Sequence, residues 1–519
     1  AHTSSWMLEV LKENLKAIAY MKSQLVTKHV VKGECMMFKQ YLQENPRANE
    51  FFQPKMWAYG KSMLNKEAYI KDIMKYSKVI DVGVVDCDRH LRKLSLELLY
   101  TQIHGFRKCS YITDEEEIFK ALNITTAVGA MYGGKKKEYF EKFTTEDKAE
   151  ILRQSCLRLY TGKLGVWEWA LKAELRSKEK IEANKTRTFT AAPIDTLLGG
   201  KVCVDDLNNQ FYSKNIECCW TVGMTKFYGG WDKLLTALPA GWIYCDADGS
   251  QFDSSLTPYL INAVLTIRYA FMEDWDIGYK MLQNLYTEII YTPISTPDGT
   301  IVKKFRGNNS GQPSTVVDNS LMVVLAMHYA FVREGIAFEE IDSICKFFVN
   351  GDDLLIAVNP ERESLLDTLS NHFSDLGLNY DFSSRTRNKS ELWFMSHCGI
   401  SVEGTYIPKL EEERIVSILQ WDRAELPEYR LEAICAAMIE SWGYPQLTHE
   451  IRRFYSWLIE KNPYADLASE GKAPYISELA LKKLYLNQDV QMMSFRSYLK
   501  YFADADEEFE CGTYEVRHQ

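Results

Sequence analysis

The sequence predicts an α+β fold divided into several lobes, and three observations support this. A chain of 519 residues is too long for one hydrophobic core, so about two to four lobes are expected. Short apolar runs that end in acidic or turn residues, at residues 242–245, 346–349 and 354–358, are typical of buried strands. Longer stretches with helical periodicity, at residues 257–272 and 314–332, predict helices packed on those strands.

The composition argues against several classes of protein. The 12 cysteines include no Cys-x-x-Cys pair, which argues against structural zinc and a disulfide scaffold and indicates a reducing compartment. No stretch approaches the roughly 20 apolar residues of a membrane span, and the most apolar run, at residues 321–326, suits a buried helix. The net charge of −10 speaks against a nucleic-acid binder, but binding depends on where the positive charge lies.

Positive charge is concentrated in two segments before residue 190. Helical patterns occur there at residues 5–21 and 115–122, and a glycine-rich turn leads into Lys135, Lys136 and Lys137. Residues 172–187 hold six basic and three acidic side chains. Such a segment can surround a triphosphate and neutralise the charge of its leaving group. A charged, solvated surface is the alternative for both segments.

A tight turn between two strands carries the first acidic motif. Asn350, Gly351, Asp352 and Asp353 separate the apolar runs at 346–349 and 354–358, which predicts a β-hairpin with two aspartates at its tip. Adjacent carboxylates repel each other, so the pair is unfavourable unless a cation is supplied. The alternative is a surface turn in which aspartate simply favours the bend.

A second acidic motif follows the strand at residues 242–245. Asp248 lies near the strand end, and Asp253 follows five residues later in the turn into a helix. If both strands belong to one sheet, Asp248 and Asp352 face a shared point, where three carboxylates form a hard oxygen site suited to Mg²⁺. Two such ions can clamp the attacking and leaving oxygens of a phosphoryl displacement. The alternative for Asp253 is an ordinary helix N-cap.

A polar loop and an apolar helix form the third motif. Asp298 and Gly299 predict a hairpin turn before the loop at residues 306–313, and the helix at 314–332 follows that loop. Thr315 and Asn319 are four residues apart and share one face of the helix, while Gly311 gives the loop freedom to move. The alternative for Asn319 is a core asparagine with satisfied hydrogen bonds.

Four motifs follow one another along the chain. They are the basic segment, Asp-x-x-x-x-Asp, Ser-Gly-x-x-x-Thr-x-x-x-Asn and Gly-Asp-Asp. In this order they resemble the motifs of the right-hand RNA-dependent RNA polymerases of positive-strand RNA viruses. Within that group the chain resembles the potyvirus replicases (large nuclear inclusion proteins) along its whole length, most clearly at residues 23–35, 245–255 and 306–353. The resemblance implies fingers, palm and thumb, with a small antiparallel palm sheet backed by helices.

The resemblance also implies domain limits. They are an N-terminal region with fingers at 1–204, palm at 205–285 and 307–404, a fingers insertion at 286–306, and thumb with C-terminal tail at 405–519.

Roles for individual residues in RNA-directed RNA polymerisation follow from the same resemblance. Asp248 and Asp352 would be the principal ligands of two Mg²⁺ ions, for which Mn²⁺ can substitute, and Asp353 would support them. The ribose would be read by Asp253, Thr315 and Asn319. A flexible loop that checks the base pair and helps translocation would contain Ser310 and Gly311. The phosphates would be contacted by Lys172, Arg176, Lys180 and Arg187. The template would enter past Gly129, Lys135, Lys136 and Lys137.

Three features depart from the pattern of that family or stay open. Asn350 precedes Gly351 where many relatives carry an aromatic residue, although potyviruses share the asparagine. The spacing from Gly129 to the lysines is shorter than in the related template-entry motif. Relatives offer a lysine as proton donor to pyrophosphate in their fourth palm motif, and here Arg385, Arg387 and Lys389 all lie near that position.

The implied partners are an RNA template and product, ribonucleoside triphosphates, the viral genome-linked protein, the viral protease and host translation factors, with no integral membrane segment. Replication would take place at membranes in the host cytoplasm, with a nuclear pool of the protein. Residues 515–519 resemble a potyvirus protease junction, which fits Ala1 as the residue left by an upstream cut.

Two other classes of protein share part of the pattern. A reverse transcriptase would have the same aspartates but an aromatic steric gate near the position of Asp253, where this chain is polar. A non-catalytic RNA-binding or scaffold protein would need the basic segments but not three convergent carboxylates. Primer extension with and without Mg²⁺ separates the three.

The two basic segments should be separable by mutation. Replacing Lys135, Lys136 and Lys137 by alanine is expected to lower RNA affinity and flatten its salt dependence, because fewer phosphate counterions are then released. Replacing Arg176 or Arg187 should instead impair the use of nucleotides more than RNA binding. RNA affinity across a salt series, measured beside KM for ATP, checks this division. Equal effects of both sets on both measurements would contradict it.

Overall fold

The computed structural model describes Met7, Leu11 and residues 14–21, 29–81, 89–103, 105–111, 114–121, 141–273 and 275–488. Helices and strands are interspersed along this part of the chain, which confirms the predicted α+β class. The strands are β1 (Leu15–Tyr20), β2 (Gly33–Glu34), β3 (Tyr59–Lys61), β4 (Trp167–Leu171), β5 (Leu175–Ser177), β6 (Thr188–Ala191), β7 (Ile243–Ala247), β8 (Pro293–Ser295), β9 (Thr300–Lys304), β10 (Cys345–Asn350), β11 (Asp353–Val358), β12 (Arg385–Thr386), β13 (Cys398–Val402), β14 (Thr405–Lys409) and β15 (Trp421–Asp422).

The α-helices precede, connect and follow these strands. They span Met36–Glu44, Pro46–Phe52, Lys66–Ile73, Arg89–Gln102, Glu115–Ala121, Thr145–Thr161, Lys178–Glu182, Ile194–Ser213, Gly230–Thr236, Phe252–Ser255, Pro258–Ala270, Asp276–Ile290, Thr315–Arg333, Ile341–Ile344, Leu365–Asp375, Glu412–Gln420, Pro427–Ser441, Pro445–Leu458, Tyr464–Ser469 and Glu478–Leu486. The helices predicted at residues 115–122, 257–272 and 314–332 are therefore confirmed within one or two residues at each described end.

A four-stranded antiparallel sheet, in the order β10-β11-β7-β12, joins the two acidic motifs. Side chains alternate between its faces along β11. Leu354 and Ile356 pack into the main core, which includes helix Thr315–Arg333, while Leu355 and Ala357 pack into a smaller core on the other face. Because both faces are buried, these strands have continuous apolar runs rather than an alternating pattern.

A five-stranded sheet, in the order β1-β9-β8-β4-β6, contains the predicted turn at Asp298 and Gly299 between β8 and β9. Its edge strand corrects one prediction. Residues 15–20 form β1, paired antiparallel with β9, and not part of a helix at 5–21. Ladder hydrogen bonds to a distant strand override a local helical pattern in so short a segment.

Helix Thr315–Arg333 is the central helix of the main core. Among the described residues it is the one helix long and apolar enough to cross a membrane, with a mean hydropathy of 1.4 over its most apolar 18-residue window. However, 83% of that window is buried inside the protein. Burial on all sides accounts for its nearly uniform apolar composition.

A separate core joins the beginning and the end of the described chain. Phe38 packs against Phe454 with ring centroids 5.0 Å apart, and Tyr41 packs against Trp457 at 5.3 Å. β2 also pairs with β15. Residues assigned to the N-terminal region therefore share a core with residues assigned to the thumb, while the domain limits themselves stay a prediction.

Candidate active site

The sheet register brings the two acidic motifs to the same end of neighbouring strands. β11 pairs with β7 so that Leu354 lies opposite Ala247, and continuing this ladder by one residue sets Asp353 opposite Asp248. The β10–β11 hairpin turns at Gly351, whose φ of +58° favours glycine, and Asp352 completes the turn. The structure therefore brings Asp248, Asp352 and Asp353 together.

The three carboxylates repel one another at a site where Asp352 and Asp353 are half-buried and Asp248 is exposed. Burial raises the pKa of Asp352 to about 7, and the charges of Asp353, Asp253 and Asp248 add to this rise. Burial and the charge of Asp248 raise the pKa of Asp353 to about 6, although a hydrogen bond from the Met395 N–H opposes the change. Perturbed acids of this kind are typical of functional sites, where a ligand relieves the unfavourable cluster.

The donor atoms of this cluster fit a divalent cation. Carboxylate oxygens are ligands that Mg²⁺ prefers, and a cation would offset the repulsion between them. Among the residues that the structure describes, no group of three or more His, Cys, Asp or Glu side chains is placed so that it could hold a metal ion by itself. The cluster is therefore a partial donor set, which suits an ion that takes its other ligands from water and substrate phosphates.

Tyr380, which sequence reasoning missed, joins the two acidic motifs. Its hydroxyl donates to the main-chain carbonyl of Asp352 at 2.6 Å, and its main chain forms a β-bridge with Gly249. The Tyr380 ring lies so close to Gly249 that a Cβ on that glycine would meet it at 2.8 Å. No local pattern around Tyr380 signals this role, because its hydroxyl bonds to a residue 28 positions away in the chain.

Asp253 and Asn319 meet beside the carboxylates. The Asn319 amide donates to the Asp253 carboxylate at 3.3 Å. Burial raises the pKa of Asp253 to about 6, and the hydrogen bond from Asn319 opposes the rise. The N-cap of helix Phe252–Ser255 is Gln251, so the N-cap alternative for Asp253 is wrong. Asn319 is buried and both its side-chain groups are hydrogen-bonded, as the alternative from the sequence expects, and one of its two partners is the acid of the second motif.

The loop at residues 306–313 is tied to β6. The Gly311 N–H donates to the Thr190 carbonyl at 2.9 Å, and the Thr190 N–H donates to the Ser310 hydroxyl at 3.0 Å. A Cβ on Gly311 would lie 2.3 Å from the Thr190 carbonyl oxygen, so close approach requires glycine here, while the mobility of the loop stays a prediction. The Thr315 hydroxyl lies 3.0 Å from the Asn309 and Ser310 carbonyls. It therefore caps this loop, and the role of Thr315 in reading the ribose with Asn319 stays a prediction.

Glu174 gathers the basic segment into a cluster. Arg187 donates to its carboxylate at 2.8 and 2.7 Å, and Lys172 lies 3.6 Å from it. Arg176 lies 4.0 Å from the same carboxylate and donates to the Lys185 carbonyl at 2.9 Å. Burial opposes ionisation of Glu174, but the hydrogen bond from Arg187 and the nearby positive charges outweigh it and lower its pKa. Glu174 is a further site residue that sequence reasoning missed, although its place among the basic residues could have indicated it.

The basic cluster adjoins the acidic site. The positive charge of Arg187 acts on the Asp253 carboxylate and favours its ionised form. Burial lowers the pKa of Lys180, and the charges of Arg176 and Lys185 add to this effect. One glutamate thus faces several basic groups, and the surplus positive charge can attract a polyphosphate.

The three basic residues that the sequence left open lie at different points along β7. Arg385 pairs with Cys245 inside the ladder. Arg387 and Lys389 donate to the carbonyls of residues 241 and 238, before β7 begins. Arg387 and Lys389 therefore lie near the start of β7, whereas Asp248 follows its last residue. Of the three basic residues, Arg385 is the nearest to Asp248 along the strand.

Part of the prediction falls outside the described residues. This holds for the template-entry residues Gly129, Lys135, Lys136 and Lys137 and for the junction at residues 515–519. Their roles stay predictions.

The order and placement of these motifs match a known family of proteins. The family described as viral RNA-dependent RNA polymerase matches residues 39–459, which contain both acidic motifs, the polar loop and the basic cluster. The chain belongs to the viral RNA-dependent RNA polymerase family. The resemblance inferred from the motifs is thereby confirmed.

Potyvirus genome polyproteins contain segments similar to this polymerase. It is 64% identical over 515 residues to that of lettuce mosaic virus (strain 0, isolate French), which covers 99% of this chain and 16% of the polyprotein. It is 63% identical over 510 residues to that of turnip mosaic virus (strain Japanese), with 98% and 16% covered. For plum pox potyvirus (strain El amar) the identity is 63% over 502 residues, with 97% and 33% covered. The polymerase thus spans a small part of these relatives.

Among solved structures, a Sicinivirus 3Dpol RNA-dependent RNA polymerase is similar to this one. The TM-score is 0.67 at 12% identity, and the match covers 85% of this chain and 94% of the other. At so low an identity the likeness shows the fold alone. It confirms the right-hand polymerase fold.

Repulsion in the acidic cluster should limit the stability of the metal-free polymerase. The pKa of Asp352 is about 7 in the folded protein, against about 4 in an unfolded chain. Stability should therefore fall as pH rises from about 4 to 7, and the full penalty should apply above pH 7. Asp352→Asn is expected to raise the thermal midpoint at pH 8 by roughly 1–2 °C or more, and by less at pH 5.

Thermal unfolding of both proteins in chelator at the two pH values measures this effect. Asp381→Asn is the control, because hydrogen bonds from Ser383 lower the pKa of this exposed carboxylate, and its loss should not stabilise the protein at pH 8. A gain for Asp352→Asn that is the same at both pH values would refute the electrostatic cause.

Proposed function

We propose that this polymerase is the replicase of a positive-strand RNA virus, and that it adds ribonucleotides to an RNA 3′ end on an RNA template by a two-metal-ion mechanism. The observation that carries the proposal is the meeting of Asp248, Asp352 and Asp353 beside the basic cluster around Glu174. Carboxylates can hold the ions, and basic side chains can neutralise a triphosphate. A scaffold that only binds RNA would have no use for the repelling carboxylates.

Asp248 and Asp352, with Asp353 in support, would hold two Mg²⁺ ions, or Mn²⁺ in their place. Held there, the ions would supply Lewis acidity for the attacking 3′-hydroxyl and positive charge for the leaving pyrophosphate. The contribution of the protein is to fix the ligands in advance. Burial on both faces holds β7 and β11 in place, and Tyr380 holds the turn, so little reorganisation is needed during the reaction.

Lys172, Arg176, Lys180 and Arg187 would contact the phosphates of the incoming nucleotide. The Arg187 side chain is 54% exposed although it binds Glu174 through two nitrogens, so it remains accessible to a ligand. Guanidinium groups suit phosphate oxygens because they donate two parallel hydrogen bonds. Glu174 holds the basic side chains close together before the nucleotide arrives, at distances where they would otherwise repel one another.

Asp253 and Asn319 would read the ribose. A 2′-hydroxyl both donates and accepts hydrogen bonds, so it can accept from the Asn319 amide and donate to the Asp253 carboxylate. A reverse transcriptase would block the same hydroxyl with an aromatic side chain. Phe252, the aromatic neighbour of Asp253, is instead 6% exposed and packs against Tyr380, with the two ring centroids 6.3 Å apart. This placement favours ribonucleotides as the substrate.

The proposal extends to partners and location on the strength of the likeness to potyvirus polyproteins. The viral genome-linked protein would prime synthesis, the viral protease would release the polymerase, and host translation factors would associate with it. Replication would take place on membranes in the host cytoplasm, with a nuclear pool.

Loss of a metal ligand should abolish polymerisation and spare RNA binding. Asp248→Ala or Asp352→Ala should lower the rate of primer extension by about a thousandfold or more, because each removes a charge that holds the ions. RNA affinity should stay within about threefold, because it depends on the basic segments. Primer extension over a Mg²⁺ series, with Asp381→Ala as the charge-matched control, measures both. Near-normal extension by Asp352→Ala would rule out this assignment.

Removal of the Asn319 amide should weaken the preference for ribonucleotides over deoxyribonucleotides. Asn319→Ala should lower the ratio of kcat/KM for ATP to that for dATP by about tenfold, which is the loss of about one hydrogen bond. Metal dependence should be unchanged. Single-nucleotide extension on one template with either nucleotide gives the ratio, and an unchanged ratio would make Asn319 a core residue.

A further inference from the structure

Behind Asn319 lies a buried chain of side-chain amides. The Asn308 amide donates to the Asn319 side-chain carbonyl at 2.8 Å, and the Gln312 amide donates to the Asn308 side-chain carbonyl at 3.2 Å. Asn308 and Gln312 are 1% and 6% exposed, so neither can exchange these bonds for bulk water. The polar loop therefore reaches Asp253 through three amides in series.

The donors and acceptors in this chain of amides can be arranged in one direction only. Gln312 donates to the Asp318 carboxylate at 2.8 Å, and its side-chain carbonyl accepts the Ser314 N–H at 2.7 Å. A carboxylate can only accept and a main-chain N–H can only donate, so the orientation of Gln312 is determined. Asn308 must then direct its carbonyl to Gln312 and its amino group to Asn319. At the far end the Asp253 carboxylate again requires a donor.

The chain of amides begins at a buried ion pair. Arg268 binds Asp318 at 2.8 Å, and the Tyr286 hydroxyl donates to the same carboxylate at 2.7 Å. Arg268 and Asp318 are 2% and 1% exposed. A buried ion pair contributes little to stability by itself but can select one arrangement of its neighbours. Here it gives Gln312 an acceptor that cannot rotate away.

We propose that Asn308 and Gln312 are positioning residues for sugar selection, which hold the Asn319 amide with its N–H groups toward Asp253 and the 2′-hydroxyl. This inference rests on the proposed function. If Asn319 were free to rotate by half a turn, its carbonyl would face the Asp253 carboxylate and could not donate to the sugar. The chain of amides removes that alternative before a nucleotide binds.

Two variants of Asn308 test the inference by different routes. Asn308→Leu removes the chain while keeping an apolar volume in its place. Asn308→Asp keeps the shape but can only accept, so the Asn319 amino group should turn toward it and away from Asp253. Both variants should lower the ratio of kcat/KM for ATP to that for dATP by about fivefold or more, mainly through loss of ATP efficiency.

Asn309→Leu is the matched control. Asn309 is also 1% exposed and lies in the same loop, but its amide donates to the Ile289 carbonyl at 3.3 Å and the Thr292 hydroxyl at 2.9 Å, outside the chain. Its loss should reduce the thermal midpoint as the Asn308 variants do and leave the ATP to dATP ratio unchanged. Thermal unfolding of each variant shows that the comparison is made between folded proteins.

The outcomes separate this inference from the proposed function. An unchanged ratio in Asn319→Ala would overturn the proposed reading of the sugar. If the ratio of kcat/KM for ATP to that for dATP fell in Asn319→Ala but was unchanged in Asn308→Leu and Asn308→Asp, the positioning role alone would be overturned. An equal change of ratio in Asn309→Leu would also overturn it, since general loosening of the loop would then suffice.

Discussion

Repulsion among Asp248, Asp352 and Asp353 is the constraint around which the sheet of β10, β11, β7 and β12 is built. Like charges at the ends of two strands would separate if the strands could move. They cannot, because β11 packs into one core through Leu354 and Ile356 and into another through Leu355 and Ala357. The rigidity of close-packed apolar layers thus holds an electrostatically unfavourable tip in place, where burial and then the neighbouring charges raise the pKa values of Asp352 and Asp353.

The acidic and basic parts of the site are also linked mechanically. β6 follows Arg187 directly, and its Thr190 exchanges two hydrogen bonds with the loop that contains Ser310 and Gly311. The same loop leads into the helix that carries Asn319. A displacement of the basic cluster would therefore be transmitted to Asn319 and Asp253, and the reverse also holds. Under the proposed function, the groups that would bind a triphosphate and those that would read its ribose belong to one connected structure.

The sequence predicted best those features whose signal is local. The apolar runs around Asp352, the periodicity of helix Thr315–Arg333 and the turn at Gly299 each depend on neighbours in the chain, and each is present in the structure. The strand at residues 15–20 was predicted as helix because its determinant is β9, nearly 300 residues away. Periodicity within a six-residue segment cannot carry that information.

The candidate site divides in the same way. Asp248, Asp352 and Asp353 each follow or join an apolar strand, which suggests convergence if the strands share one sheet, and the sheet register supplies that condition. Tyr380 and the caps made by Thr315 were not foreseeable, because a hydroxyl finds its acceptor only after the loops are placed. Close packing is a second reason for glycine at position 311 that the sequence did not show. Glycine serves both mobility and close approach, and the second becomes evident only from the Thr190 carbonyl oxygen, 2.3 Å from the absent Cβ.

The core shared by residues 36–52 and the thumb segment has a consequence for the order of synthesis. The Trp457 indole N–H donates to the Glu44 carboxylate across 413 residues of chain. At translation rates of about 5–20 residues per second, roughly 20–80 s pass between the synthesis of helix Met36–Glu44 and the synthesis of its partner Trp457. During that interval Phe52 can already pack against Phe38, but the sides of Phe38 and Tyr41 that contact Phe454 and Trp457 have no native surface to cover them. A nascent chain of this polymerase is therefore expected to depend on chaperones at its beginning, and to complete its first lobe almost last.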